Sequence, residues 1–161
     1  MQRRTLLAGG ALAGAAALLA EEAKAADAEI ARKFAATLTA HDLDAFAALI
    51  AEGYVNHQAS AAAPPPPAGV KPKAATVAFF AARLKGLPDL KVAIQATLAQ
   101  DDLVAASFAY EGTHQGVYYG FEPTGKRLFF TSCDIFRVSD GQIAEHWGMG
   151  DIAGVVAQLK A

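Results

Sequence analysis

One cysteine, one tryptophan and two methionines are all that 161 residues hold of these three types. With Cys133 alone, no disulfide can form within the chain, so stability must come from a packed core. Packing is also the expected role of Cys133 itself. Charge is sparse as well, at 19% of residues, and neither sign dominates. Setting aside residues 1–25 removes three positive and two negative groups and leaves 11 and 14, a net charge of −3. That balance offers no footprint for nucleic acid or for an anionic membrane surface. Beyond residue 25 no long apolar run occurs, so no stable membrane span is expected in the rest of the chain. The 53% hydrophobic fraction reflects 39 alanines.

The first 25 residues look like an export signal. Arg3-Arg4 precedes Thr5-Leu6-Leu7 and an Ala/Gly/Leu run to Ala20, and Ala23-Lys24-Ala25 is a small-x-small cleavage site. The paired arginines and weakly apolar middle predict a twin-arginine signal, with an ordinary secretory signal as the alternative. Either predicts a mature chain starting near Ala26 and a periplasmic or secreted location. Residues 26–161 suffice for one domain.

Periodicity divides that domain in two. Ile30, Phe34 and Leu38 predict a helix over Asp27–Thr39, and Leu43, Phe46, Leu49 and Ile50 a short second one capped by Asp42. An Ala/Pro-rich loop at 59–70 carries Pro64–Pro67 and is expected to be flexible and extended. Lys73–Leu87 is a third helix, with Val77, Phe80, Ala81 and Leu84 facing inward, and Pro88 stops it. The period then changes to two. Leu90, Val92, Ile94, Ala96 and Leu98 line one face of a strand; Leu103–His114, 127–138 and 142–148 follow as further strands. Ile152, Val155, Val156 and Leu159 end the chain in a short helix. Helices first and antiparallel strands after predict an α+β fold, a curved sheet wrapped on helices.

Asp134 is the residue hardest to explain structurally. Residues two apart share a strand face. Asp134 therefore sits with Leu128, Phe130, Phe136 and Val138, where an acid must be paired or stay protonated. Ser139-Asp140-Gly141 signals a turn. A three-residue loop sets Asp134 opposite His146; a two-residue loop sets it opposite Trp147. A structural ion pair is the competing reading of Asp134 with His146.

The other polar candidates carry weaker signals. His114 shares a face with Phe108 and Tyr110, as either a pocket donor or a strand-end residue bonded to backbone. His57 follows Tyr54 at a helix exit, where an exposed loop histidine is the plain alternative. Trp147 is core or pocket wall, and Asp151 suits the N-cap of the last helix. A metal site from His57, His114, His146 and Asp134 has no support in their spacing.

Several blocks together resemble the SnoaL-like polyketide (ester) cyclase family of the nuclear transport factor 2-like superfamily. They are Tyr54-Val55-Asn56-His57, Gly112 to Gly116, Pro123-Thr124-Gly125-Lys126, Asp134 to Arg137, Asp140 to Ile143, and Glu145-His146-Trp147 through Asp151. The resemblance implies a conical barrel of helices on a strongly bent antiparallel sheet, with a deep apolar pocket and often a dimer through the sheet. It implies ring closure by acid/base chemistry with no metal or cofactor. It also places the family's catalytic aspartate two residues after the last-strand histidine, where this chain has Gly148, and the assisting histidine at Asp134.

The expectation is therefore an exported, cofactor-independent enzyme acting on a small apolar carbonyl or ester compound. Asp134 and His146 would be catalytic, with His57, His114, Tyr54, Trp147 and Asp151 around the ligand. The alternative is a module that only binds such a ligand, and in either case a homodimer is expected.

Overall fold

The computed structural model describes residues 29–58 and 65–161. The expected export signal and the first part of the Ala/Pro-rich loop lie outside the described residues. No described helix is long and apolar enough to cross a membrane.

Helix α1 (29–39) buries Ile30, Phe34 and Leu38, the residues its period selects. Helix α2 (Leu43–Ala48) starts where Asp42 accepts a hydrogen bond from the Ala45 N–H at 2.8 Å. It ends earlier than expected. Ile50 opens strand β1 (Ile50–Asn56) instead of closing the helix. Helix α3 (Pro72–Gly86) begins with proline in its first turn, where no intrahelical N–H is lost. Strands β2 (Lys91–Gln100), β3 (Leu103–Thr113), β4 (Arg127–Ser139) and β5 (Gln142–Gly150) follow, and α4 (Ile152–Lys160) closes the chain.

The strands form one sheet in the order β1-β5-β4-β3-β2. All neighbours run antiparallel except β1, which pairs parallel with β5. The expected antiparallel sheet thus gains a parallel edge strand. Helices cover the inner face. Phe34 sits at the centre, its ring 5.0–5.6 Å from those of Phe46, Phe80, Phe108 and Phe136. These four partners come from α2, α3, β3 and β4, so one side chain ties the helices to the middle of the sheet.

Two extra residues bend the strands. Gln95 is unmatched between the Ile94–Phe108 and Ala96–Ser107 pairs. The alternation of β2 reverses there, and Leu98, expected inside, is 76% exposed. Ala144 is the extra residue in β5, between the Val138–Ile143 and Arg137–Glu145 pairs. It decides the geometry of the site.

Candidate functional site

The β4–β5 turn contains two residues, Asp140 and Gly141, both at positive φ (51° and 72°). That is the twist a two-residue hairpin turn favours. Taken alone, it would leave His146 on the outer face. Ala144 then shifts the register by one more residue and restores the parity. Asp134 ends opposite Gly148, and His146 opposite Phe136. The expected direct pairing of Asp134 with His146 is therefore corrected to a diagonal one on the same face.

The diagonal contact is short. His146 Nε2 lies 2.8 Å from Asp134 Oδ1, with both residues buried. Gly148 makes this possible. A Cβ there would overlap His146 Nε2 and lie 2.5 Å from Asp134 Oδ1. The second carboxylate oxygen is 2.5 Å from Ser132 Oγ, which is 3.2 Å from the Tyr110 hydroxyl. A serine hydroxyl carries one proton. With Asp134 ionised, Ser132 donates to the carboxylate and accepts from Tyr110, and His146 donates through Nε2. The result is a chain Tyr110–Ser132–Asp134–His146. Burial pushes the Tyr110 hydroxyl well above its ordinary range, with Asp134's charge adding, so it stays a neutral donor.

This chain lies on the wall of a cavity of about 500 Å³, a size that suits a small organic molecule. Asn56, Gln58 and Pro65–Pro67 contribute from the β1 side and the loop. Thr76, Phe79, Phe80 and Arg83 contribute from α3, and Gly150 and Ile152 from the end of β5 and α4. Pro65–Pro67, expected only as part of a flexible, extended loop, border the cavity.

Of the seven expected site residues, Asp134 and His146 line this cavity, and the other five are not among its lining residues. Trp147 neighbours His146 in a strand and so faces the opposite side. There it stacks on His57, with ring centroids 4.4 Å apart and planes 6° from parallel. His57 Nε2 bonds Glu145, which bonds Arg137, which bonds Asp102 (2.7, 2.7 and 2.6 Å), an outer-face network. His114 is fully buried but away from the cavity. Its Nδ1 accepts from the Thr124 N–H at 3.2 Å, which places the proton of the neutral ring on Nε2. It thereby fixes the Pro123–Lys126 turn. Asp151 caps α4 by accepting from Gly154 N–H at 2.8 Å. Tyr54 is closest to the expectation. It sits with His146 and Thr76 around a second, very small void below the cavity, and burial pushes its hydroxyl up to about 12. His57 and His114 therefore do not converge with Asp134 and His146 as a metal set would require. No group of three or more potential metal ligands gathers among the described residues.

Arg83 is a cavity residue that sequence reasoning did not single out. A signal was available, because it lies three residues after Phe80 and one before Leu84, inside the apolar stripe of α3. Two glycines seat the loop that holds it. A Cβ on Gly116 would run into the Lys85 carbonyl, and one on Gly86 would lie 2.7 Å from Tyr118 Cβ. The 114–121 segment thus packs tightly on the end of α3 and brings the Tyr118 hydroxyl within 3.1 Å of Arg83 Nε.

Comparison with known proteins agrees with the fold. The model of the SnoaL-like polyketide cyclase family matches residues 28–159. Among solved structures, the candidate polyketide cyclase IdmH from Streptomyces antibioticus is 27% identical with a TM-score of 0.71, covering 84% of this chain and 99% of its own. The candidate hydroxylase AclR from Streptomyces galilaeus is 23% identical with a TM-score of 0.72, covering 85% and 82%. A candidate SnoaL-like polyketide cyclase from Jannaschia sp. CCS1 is 21% identical with a TM-score of 0.70, covering 86% and 94%. No curated relative matches the chain.

Proposed function

The chain belongs to the SnoaL-like polyketide cyclase family, and from that premise we propose that it is a cofactor-independent acid/base enzyme for a small apolar carbonyl or ester compound. The observation that carries this reading is the 2.8 Å contact between Asp134 and His146 on the wall of an apolar cavity. Asp134 removes or returns a proton α to a carbonyl. His146 Nε2 orients the carboxylate, and Ser132 holds its other oxygen. Oxyanion stabilisation falls to a donor on the cavity wall, Asn56, because His57 and His114 point elsewhere and the Tyr110 proton is held by Ser132.

The test does not need the natural substrate. In heavy water, the full chain is expected to speed deuterium uptake at C2 of 1-tetralone, or of a related bicyclic ketone or ester, above buffer and above heat-inactivated protein. Binding of these compounds without accelerated exchange supports the second reading, a non-catalytic binding module. That reading is favoured by Gly148, where the family's catalytic aspartate is expected.

We also assign a homodimer through the outer face of the sheet. Leu98, Ile135 and Met149 are 76%, 42% and 79% exposed there, more apolar surface than a lone sheet face needs to show. Sedimentation velocity at micromolar concentration is expected to give twice the chain mass. A single boundary at the mass of one chain would end the assignment.

A further inference from the structure

Arg83 is a buried cation without a counter-ion. The residue is 7% exposed. Its guanidinium carbon lies 4.9 Å from the ring centroids of Phe79, Phe80 and Tyr110 and 5.2 Å from that of Phe130. Four rings attract the charge through their faces, and none of them carries the opposite charge. Nε donates to the Tyr118 hydroxyl at 3.1 Å. Among the described residues, no carboxylate comes within ion-pair distance of Arg83; the arginine pairs involve Arg32, Arg127 and Arg137.

The phenols around it do not supply the missing charge. Burial pushes Tyr118 up to about 12 and Tyr110 higher, so both are neutral near pH 7. An arginine stays charged under any ordinary condition. A permanent cation taken out of water is costly unless something negative meets it. Arg83 borders the cavity, and the cavity is where that partner can enter.

We infer that Arg83 is a binding residue for a ligand carboxylate, and that the cavity takes a flat apolar acid whose carboxylate docks on the guanidinium fork. A planar, two-oxygen anion matches that fork in a way a neutral carbonyl or a point charge does not. Phe79, Phe80 and Tyr110, which line the cavity beside the fork, offer apolar surface for the carbon skeleton. The acid/base pair sits across Tyr110, whose hydroxyl reaches Ser132 and through it Asp134. An anchored carboxylate would hold a carbon several bonds away against Asp134. This rests on the reading of the cavity as the substrate site and narrows its substrate to apolar organic acids.

The experiment compares 2-naphthoate with 2-naphthamide, which share shape and differ in charge, by calorimetric titration of the full chain at pH 7. The wild type is expected to bind the naphthoate at least tenfold more tightly. Arg83→Met is expected to lose that preference while keeping the amide affinity, and Arg83→Lys to keep only part of it. Should either variant fold poorly, the Arg83 Nε–H resonance of the wild type serves instead, moving with naphthoate and not with the amide. Equal binding of the two compounds, or a preference that survives in Arg83→Met, overturns the inference and leaves the cavity as a ligand site. Binding of neither compound overturns both.

Discussion

Asp134→Asn is expected to slow deuterium exchange in the 1-tetralone assay by about 10²–10⁴-fold, the span usual for loss of a positioned general base. The substitution is close to isosteric, so the cavity keeps its shape. What changes is chemistry. An amide takes no proton at neutral pH, and it presents one acceptor and one donor where the carboxylate presents two acceptors. Ser132 Oγ at 2.5 Å and His146 Nε2 at 2.8 Å both use the carboxylate as acceptor. One of them must therefore turn away or change its own proton. The affinity for 1-tetralone is expected to stay within a few-fold, because the apolar wall is untouched. Exchange and binding measured together separate the two readings of the cavity. Exchange that continues at the wild-type rate in the folded variant would remove Asp134 from the chemistry.

The face of β4 was legible because Leu128, Phe130, Phe136 and Val138 leave no doubt about which side is buried. Asp134 inherits that side by position. Its partner was reached by a route the residues did not disclose. The turn is one residue shorter than the three-residue loop needs, and the extra residue at Ala144 moves the register by one in the same sense. The two together shift the pairing by two residues, so parity survives while the partner changes from direct to diagonal. The same kind of event misled the reading of β2. There Gln95 shifts the register once, nothing follows it, and Leu98 is turned outward. Extra residues of this kind depend on curvature set by the whole sheet, which local alternation does not encode.

Strand β1 was missed for a different reason. Ile50 and Tyr54 are four apart, which continues the period of the preceding helix, and Gly53 weakens the strand signal. Its pairing with β5 joins residues about ninety positions apart and is parallel, so no turn announces it. The error spread to the site. Strand geometry turns Asn56 toward the cavity, beside His146, and sends His57 out to Glu145 and Trp147. Trp147 and His146 are adjacent in one strand and cannot share a face, a constraint the sequence already contained. Arg83 drew no reading from the sequence, where a charge on a helix is usually solvated. Its place between Phe80 and Leu84 outweighs that habit. An anchored cation is found by asking which charged residue interrupts an apolar stripe.

Gly148→Ala is expected to damage the same chemistry without touching a polar group. Ordinarily an alanine in place of a strand glycine is neutral or helpful, since glycine has more backbone freedom to lose on folding. Here the added Cβ would overlap His146 Nε2 and stand 2.5 Å from Asp134 Oδ1 and 2.7 Å from His146 Cε1. Those are the atoms of the acid/base contact, so relief requires the pair to separate. Overpacking of this kind costs about 1–3 kcal/mol. The melting temperature is expected to fall by about 2–12 °C for a domain of this size. Exchange is expected to fall about as far as in Asp134→Asn, because the carboxylate loses the group that orients it. Gly150→Ala is the matched control. It lies two residues further along the same face of β5, and its Cβ would meet only Ser132 Cβ, at 3.9 Å. It is expected to melt within about 1 °C of the wild type and to leave the Asp134–His146 contact in place, so that any loss of exchange is far smaller than in Gly148→Ala. If Gly148→Ala behaves like Gly150→Ala, the diagonal contact is slack enough to admit a methyl group, and Gly148 is not what holds it. If the two part as expected, Gly148 is the reason the acid and the imidazole can meet at all.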